Sequence, residues 1–162
     1  MSKNFAIAFG IGIAVIALAV AGVLFMQRGS RLELPGKVLK VRTAPLDENS
    51  SVAVIDFRVT NSSDVLFMVR SVSVELDDNQ GKTYQGSVAA DMDVKPLFEG
   101  VPLLGQKFND TLLMRQSIPP HTSTDRMVAA RFQAPEAMLE ARKRFIVRIE
   151  EMDRTSFELS ER

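Results

Sequence analysis

The sequence has no cysteine and no tryptophan, and only one histidine and one tyrosine among 162 residues. Without Cys there is no disulfide scaffold, zinc finger, iron–sulfur ligand set, thiol nucleophile or lipidated cysteine anchor. A single His with scattered Met offers no ligand set for a transition metal, and no cofactor is expected. An excess of charge of one sign is missing too. Twenty Lys and Arg balance twenty Asp and Glu, so there is no basic surplus to neutralise phosphates, and nucleic acid is not an expected partner. The isolated glycines form no phosphate-cradling loop.

What is present is one long apolar run. Phe5 to Met26 is 22 residues with no charged or hydrogen-bonding side chain, long enough as a helix to cross a bilayer. The organisation expected is a tail over 1–4, a transmembrane signal-anchor helix over 5–26, a linker over 27–36 and a folded domain over 37–162. Membrane lipid is thus an expected partner of residues 5–26. A cleaved signal peptide is the competing reading, because Ala19-Val20-Ala21 before Gly22 fits a small-residue cleavage site. Against it, the run continues through Val23, Leu24, Phe25 and Met26, so cleavage leaves a bare apolar end. Lys3 and the α-amino group precede the span, and Arg28 and Arg31 follow it. The short positive tail favours the N-terminus inside and the domain outside, in the periplasm. Ala6, Gly10, Ala14, Ala17 and Ala21 follow a 4-4-3-4 spacing that puts small residues on one helix face, a candidate packing face for a second helix. An Ala-rich anchor produces such a stripe by composition alone.

After Lys37 the period becomes two. Ile55-Asp56-Phe57-Arg58-Val59-Thr60 and Val72-Ser73-Val74-Glu75-Leu76-Asp77 alternate apolar with polar and read as half-buried strands, as do Phe145, Val147 and Ile149 and, more loosely, Val128, Ala130 and Phe132. Asn61 to Asp64 closes one strand. Asp77 to Lys82 forms a hairpin loop with Gly81 at positive φ and Lys82 to Val88 returning. A further strand is expected over Thr111 to Ser117, stopped by Pro119-Pro120. Pro135 to Arg142 has the signature of a short helix. About eight short strands with one or two short helices predict an all-β, immunoglobulin-like antiparallel sandwich behind one N-terminal transmembrane helix.

One connection is unusually long. Residues 89–110 hold Leu97, Phe98, Val101, Leu103 and Leu104 among Pro and Gly. Either a short helix around Ala90 to Phe98 caps an open end of the sandwich and buries these groups, or some stay exposed as candidate contacts for a partner or the lipid interface.

Chemistry finds few footholds. His121 lies in Pro119-Pro120-His121-Thr122-Ser123-Thr124-Asp125, which reads as an exposed turn rather than part of a nucleophilic triad. Asp77, Asp78 and Asn79 lack the later bidentate Glu of a calcium loop. Asp91 with Asp93, and Glu150, Glu151 and Asp153, are carboxylate groups with nothing in the sequence to bury them. Asn49-Ser50-Ser51, Asn61-Ser62-Ser63 and Asn109-Asp110-Thr111 match the glycosylation triplet and read as polar turns. No catalytic residue is assigned.

The order of Val52-Ala53-Val54-Ile55-Asp56-Phe57-Arg58-Val59-Thr60-Asn61, then Val72 to Asp78 with Gly81, then Ile118-Pro119-Pro120, then Val128 to Phe132 with Pro135 resembles the FxLYD-like and late-embryogenesis-abundant-like immunoglobulin-fold domains of bacterial envelope proteins. The resemblance covers roughly Lys37 to Leu159. It implies a small sandwich on a lipid or helical anchor, without catalysis. The chain departs from the pattern at His121 to Asp125, where a Gly-containing turn is usual, and in the 89–110 insertion. The function expected is a non-enzymatic, membrane-anchored interaction or accessory domain of the cell envelope with an unidentified protein partner. The alternative is a small-ligand sensor whose 89–110 loop covers an apolar pocket.

Overall fold

The structure is a computed structural model. It describes the backbone of residues 3–26, the side chains of 9 and 12–22 within that stretch, and residues 34–161. The chain divides between Arg31 and Leu32 into two compact units. Most of the expected linker, residues 27–33 with Arg28 and Arg31, lies outside the described residues.

The first unit contains helix α1 (Lys3–Met26), 24 residues and thus about 36 Å long. Lys3 and Asn4, expected as tail, belong to it. Ile13, Val15, Ile16, Leu18 and Val20 are exposed. Among the described residues, which within α1 carry side chains only at 9 and 12–22, no helix is long and apolar enough to cross a membrane.

The second unit is an all-β, sandwich-like fold with eight strands among the described residues: β1 (Gly36–Asp47), β2 (Ser50–Asn61), β3 (Phe67–Asp77), β4 (Thr83–Val88), β5 (Ser117–Ile118), β6 (Thr122–Phe132), β7 (Arg144–Glu151) and β8 (Ser156–Ser160). Packing starts ahead of Lys37, because Leu34 is buried in the core and the Pro35 carbonyl accepts the Thr60 N–H at 2.8 Å. The strands run in the order β1-β2-β6-β4-β3-β7-β8, with β5 beside β3. Every strand pairing is antiparallel.

Strand β4 joins the two layers. It pairs with β3 up to Val74↔Gly86 and then with β6 through Ser87↔Arg131 and Val88↔Ala130. Gly86 is the last residue before this change of partner, and a Cβ there stands 2.7 Å from Phe132 Cζ and 3.0 Å from Ala130 Cβ. The inner faces of β2 and β6 meet those of β3 and β7 around the fully buried Phe57, Phe67, Phe132 and Phe145. Phe132 and Phe145 bring their ring centroids to 5.6 Å across the layers.

The hairpin after Asp77 forms as its turn residues require. Asp78 Oδ1 accepts the Gln80 and Lys82 N–H groups at 2.8 Å each, and Gly81 sits at φ +83°. The late helix is α3 (Glu136–Glu140), with Leu139 buried.

Three expectations change. No strand spans Thr111 to Ser117. Arg115 takes φ +64°, which interrupts an extended run, and only Ser117–Ile118 pairs with β3. The helix expected around Ala90 to Phe98 is α2 (Asp91–Gly100), followed by a 3₁₀ turn over Pro102–Leu104. These pack on the outer face of the β1-β2-β6 layer rather than at an open end, so Val52, Val54, Met127 and Ala129 form a second apolar cluster with Val94 and Leu104. Strand β2 is consequently buried on both faces from Ser50 to Phe57 instead of half-buried.

Candidate functional site

The outer face of β2 carries a charge in the middle of the second cluster. Asp56 alternates with Val54 on that face, and its side chain is only 3% exposed. It is fully employed. Asp56 Oδ2 accepts Arg42 Nη2 at 2.8 Å, and Oδ1 accepts Asn109 Nδ2 at 2.8 Å. Arg42 Nη1 also donates to the carbonyls of Leu104 at 2.6 Å and Gln106 at 2.7 Å. Its guanidinium lies 5.3 Å from the Phe98 ring centroid and 5.0 Å from that of Phe108. One ion pair therefore fastens the far half of the 89–110 excursion to the sheet.

The near end of the excursion borders a groove. Val72 of β3, Val88 at the end of β4, Ala89, Leu112, Leu113 and Met114 are among the residues that line this groove of about 510 Å³. Met114, Leu113, Val88 and the nearby Met92 are exposed. Methionine beside aliphatic side chains makes an adaptable apolar surface.

The five partner-contact candidates divide. Leu104 is buried at 1% exposure, and Leu97, Phe98 and Val101 pack partly buried against the second cluster. Only Leu103, 75% exposed, stands out from the surface. The reason is the outer-face packing of α2 and the 3₁₀ turn, which turns the insertion's apolar side inward. The far half of the loop covers the outer face of the sheet, while its first residues, Ala89 to Asp91, line the groove. Of the small-residue stripe, Ala14, Ala17 and Ala21 are exposed, Ala17 and Ala21 lining a shallow groove with Ile13, Ile16 and Val20. Ala6 and Gly10 are described only as helix backbone, and their exposure lies outside what is described.

His121 is exposed in its turn, at φ +53°, with Nε2 2.9 Å from Asp64 Oδ1. The departure from a Gly-containing turn thus falls on a residue held in the left-handed region. Asp91 and Asp93 are exposed on α2. Glu150 accepts the Ser71 hydroxyl at 2.8 Å, and Glu151 accepts the Asp153 N–H at 2.6 Å, so these acids brace strands and a turn. Asn61 is buried, and its Nδ2 donates to the carbonyls of Val65 and Ile118. No group of three or more His, Asp or Glu able to hold a metal occurs among the described residues.

Several carboxylates outside the core are held below the 3.8 of a free aspartate. For Asp47 the main cause is the Ser50 hydroxyl, for Asp77 the Thr83 hydroxyl and then Arg144, for Asp125 the Arg58 guanidinium, and for Asp153 the Thr155 backbone N–H. A folded-state pKa below the unfolded one contributes stability that is present above the unfolded value and lost as pH falls through the folded value. The thermal midpoint is therefore expected to hold from pH 7 down to about 5 and to drop steadily below about 4, followed by circular dichroism. A midpoint that rises on acidification contradicts this.

No protein-family model matches the chain, and no curated protein matches it. Among solved structures it is similar to an uncharacterized β-sandwich protein from Clostridium difficile 630, at 14% identity and a TM-score of 0.37 over 82% of each chain. It is also similar to Northeast Structural Genomics Consortium target SoR45, at 14% identity and a TM-score of 0.33 over 82% of this chain and 81% of that one.

Proposed function

We propose that the chain is a non-enzymatic, single-pass membrane protein of the bacterial cell envelope, whose sandwich lies outside the cytoplasm and contacts a protein partner. The observation that carries the proposal is where the polar and apolar groups are used. The buried Asp56, Asn61 and Ser51 each hold a strand, loop or turn in place through named hydrogen bonds. Exposed apolar side chains collect instead at Val88, Leu113 and Met114 around an open groove. Residues 5–26 supply the anchor in this reading, through their length and the lack of any polar side chain.

The immunoglobulin-like assignment and the kinship with FxLYD-like and late-embryogenesis-abundant-like domains belong to the same proposal. The strand order supports them. With the end of β4 beside β6, the order β1-β2-β6-β4 is that of the ABED layer of an immunoglobulin sandwich and β3-β7-β8 that of its CFG layer, while the first part of β4 pairs with β3.

The test is cross-linking in the native membrane with the full chain, followed by mild detergent extraction. Leu113→Asp with Met114→Asp is expected to abolish capture of a stoichiometric membrane partner while shifting the melting temperature by less than about 3 °C, since both side chains are exposed. Capture that is unchanged by the double substitution overturns the surface. A chain that never captures a partner at stoichiometric yield overturns the accessory role.

A further inference from the structure

The two ends of the sandwich differ in what their turns expose. At one end the turns Glu48-Asn49, Asp78 to Lys82 and Arg142-Lys143 are polar or charged throughout, Gly81 apart. Strand register puts the connections 62–66, 119–121 and 152–155 at the other end, since Asn61 pairs with Thr122, Phe67 with Ile118 and Glu150 with Ser156. There Val65, Leu66 and Met152 are exposed. The turn that carries the first two is braced. Asn61 Nδ2 donates to the Val65 carbonyl at 2.8 Å, and Asn61 Oδ1 accepts the Ser63 hydroxyl at 2.6 Å. A buried asparagine thus fixes a turn whose two adjacent apolar side chains stay in solvent.

The chain enters the sandwich at this same end. Leu34 is buried in the core, and Gly36 pairs with Val59, two residues from Asn61. Residues 27–33 reach at most about 25 Å when fully extended. With 5–26 in a bilayer, that reach keeps the entry end of the sandwich close to lipid. The charges of these connections balance, Asp64 and Asp153 against Arg154 and, at the entry, Lys37, with His121 Nε2 2.9 Å from Asp64 Oδ1. Apolar tips among charges of both signs suit the boundary between headgroups and acyl chains, where apolar groups leave water and charged ones keep it. We infer that this end of the sandwich seats on the lipid surface of its own membrane, with Val65, Leu66 and Met152 in that boundary, an assignment that rests on the anchor proposed above.

The test places the full chain, with 13C-methyl methionine, in phosphatidylcholine nanodiscs containing 5-doxyl-phosphatidylcholine, whose spin label lies at the acyl boundary. The Met152 methyl signal is identified by its loss in Met152→Leu, and that of Met92, exposed on α2, by its loss in Met92→Leu. The label is expected to broaden Met152 at least about fivefold more than Met92, because only the former enters the boundary. Val65→Asp with Leu66→Asp is expected to cut the Met152 broadening at least about threefold while shifting the melting temperature by less than about 3 °C, since both side chains are exposed. Leu66→Gln, which adds no charge, is expected to lower the broadening as well. A tether that merely holds the sandwich nearby gives broadening that these substitutions leave unchanged. Equal broadening of the two methionines, or broadening unmoved by the substitutions, in a chain that co-elutes with the discs overturns the lipid contact and leaves the anchor standing. A chain that elutes apart from the discs overturns both.

Discussion

Asp56→Ala is expected to lower the stability of the sandwich by about 3–5 kcal/mol, the loss typical when one member of a buried ion pair is removed. The substitution leaves the Arg42 guanidinium, 9% exposed, without its carboxylate, and Asn109 without its acceptor. Arg42 has little water to turn to. Its Nε is buried and has no hydrogen-bond partner even in the parent chain. The check is denaturant unfolding, in which the midpoint falls while the slope stays constant. A second readout is local. Because the Leu104 and Gln106 carbonyls are tied to the sheet through Arg42, proteolysis at Lys107 is expected to accelerate before global unfolding does. Replacing both charges, Arg42→Met with Asp56→Leu, is expected to recover most of the loss, since apolar packing often matches a buried pair. A loss below about 1 kcal/mol for Asp56→Ala places the pair among ordinary surface bridges.

Phe132→Ala is expected to cost about 3–5 kcal/mol by leaving a cavity between the layers. The ring is 1% exposed, sits 5.6 Å from that of Phe145 and passes directly under Gly86. Gly86→Ala is expected to cost about 1–3 kcal/mol in the parent, because the added methyl meets the Phe132 ring at 2.7 Å and the Ala130 methyl at 3.0 Å. In the Phe132→Ala background the same methyl enters the space the ring has left. The two costs are therefore expected to be strongly non-additive, with the double variant more stable than the sum of the single losses by about 1 kcal/mol or more. Additive losses contradict the account of β4 as the strand that changes layers over Phe132.

The strands of the sandwich are legible in the sequence where one face is wet. Phe145, Val147 and Ile149 are buried while Arg144, Arg148 and Glu150 are less so, as alternation requires. Pattern misleads where a face that looks polar is covered. Asp56 and Arg58 have the same spacing relative to Phe57, yet Asp56 is buried under the 89–110 excursion and Arg58 is exposed beside Asp125. The sequence does contain the relevant signal. Val52-Ala53-Val54-Ile55 on β2 and Met127-Val128-Ala129-Ala130 on β6 are continuous apolar runs, as expected of strands buried on both faces. Read together with the apolar content of residues 89–110, they identify the insertion as a cover for one sheet. The groove has no such signature. It depends on where β4 changes partner from β3 to β6, a long-range event.

Membrane anchorage carries the proposed function, because a contact surface outside the cytoplasm has its role only on a domain held there. Its most direct test is an alkaline carbonate wash of membranes from cells making the full chain, followed by detection of the sandwich in pellet and supernatant. The account predicts that the full chain stays in the pellet and that a chain beginning at Leu32 is released. Release of the full chain into the wash contradicts an anchor over 5–26 and with it the envelope accessory role.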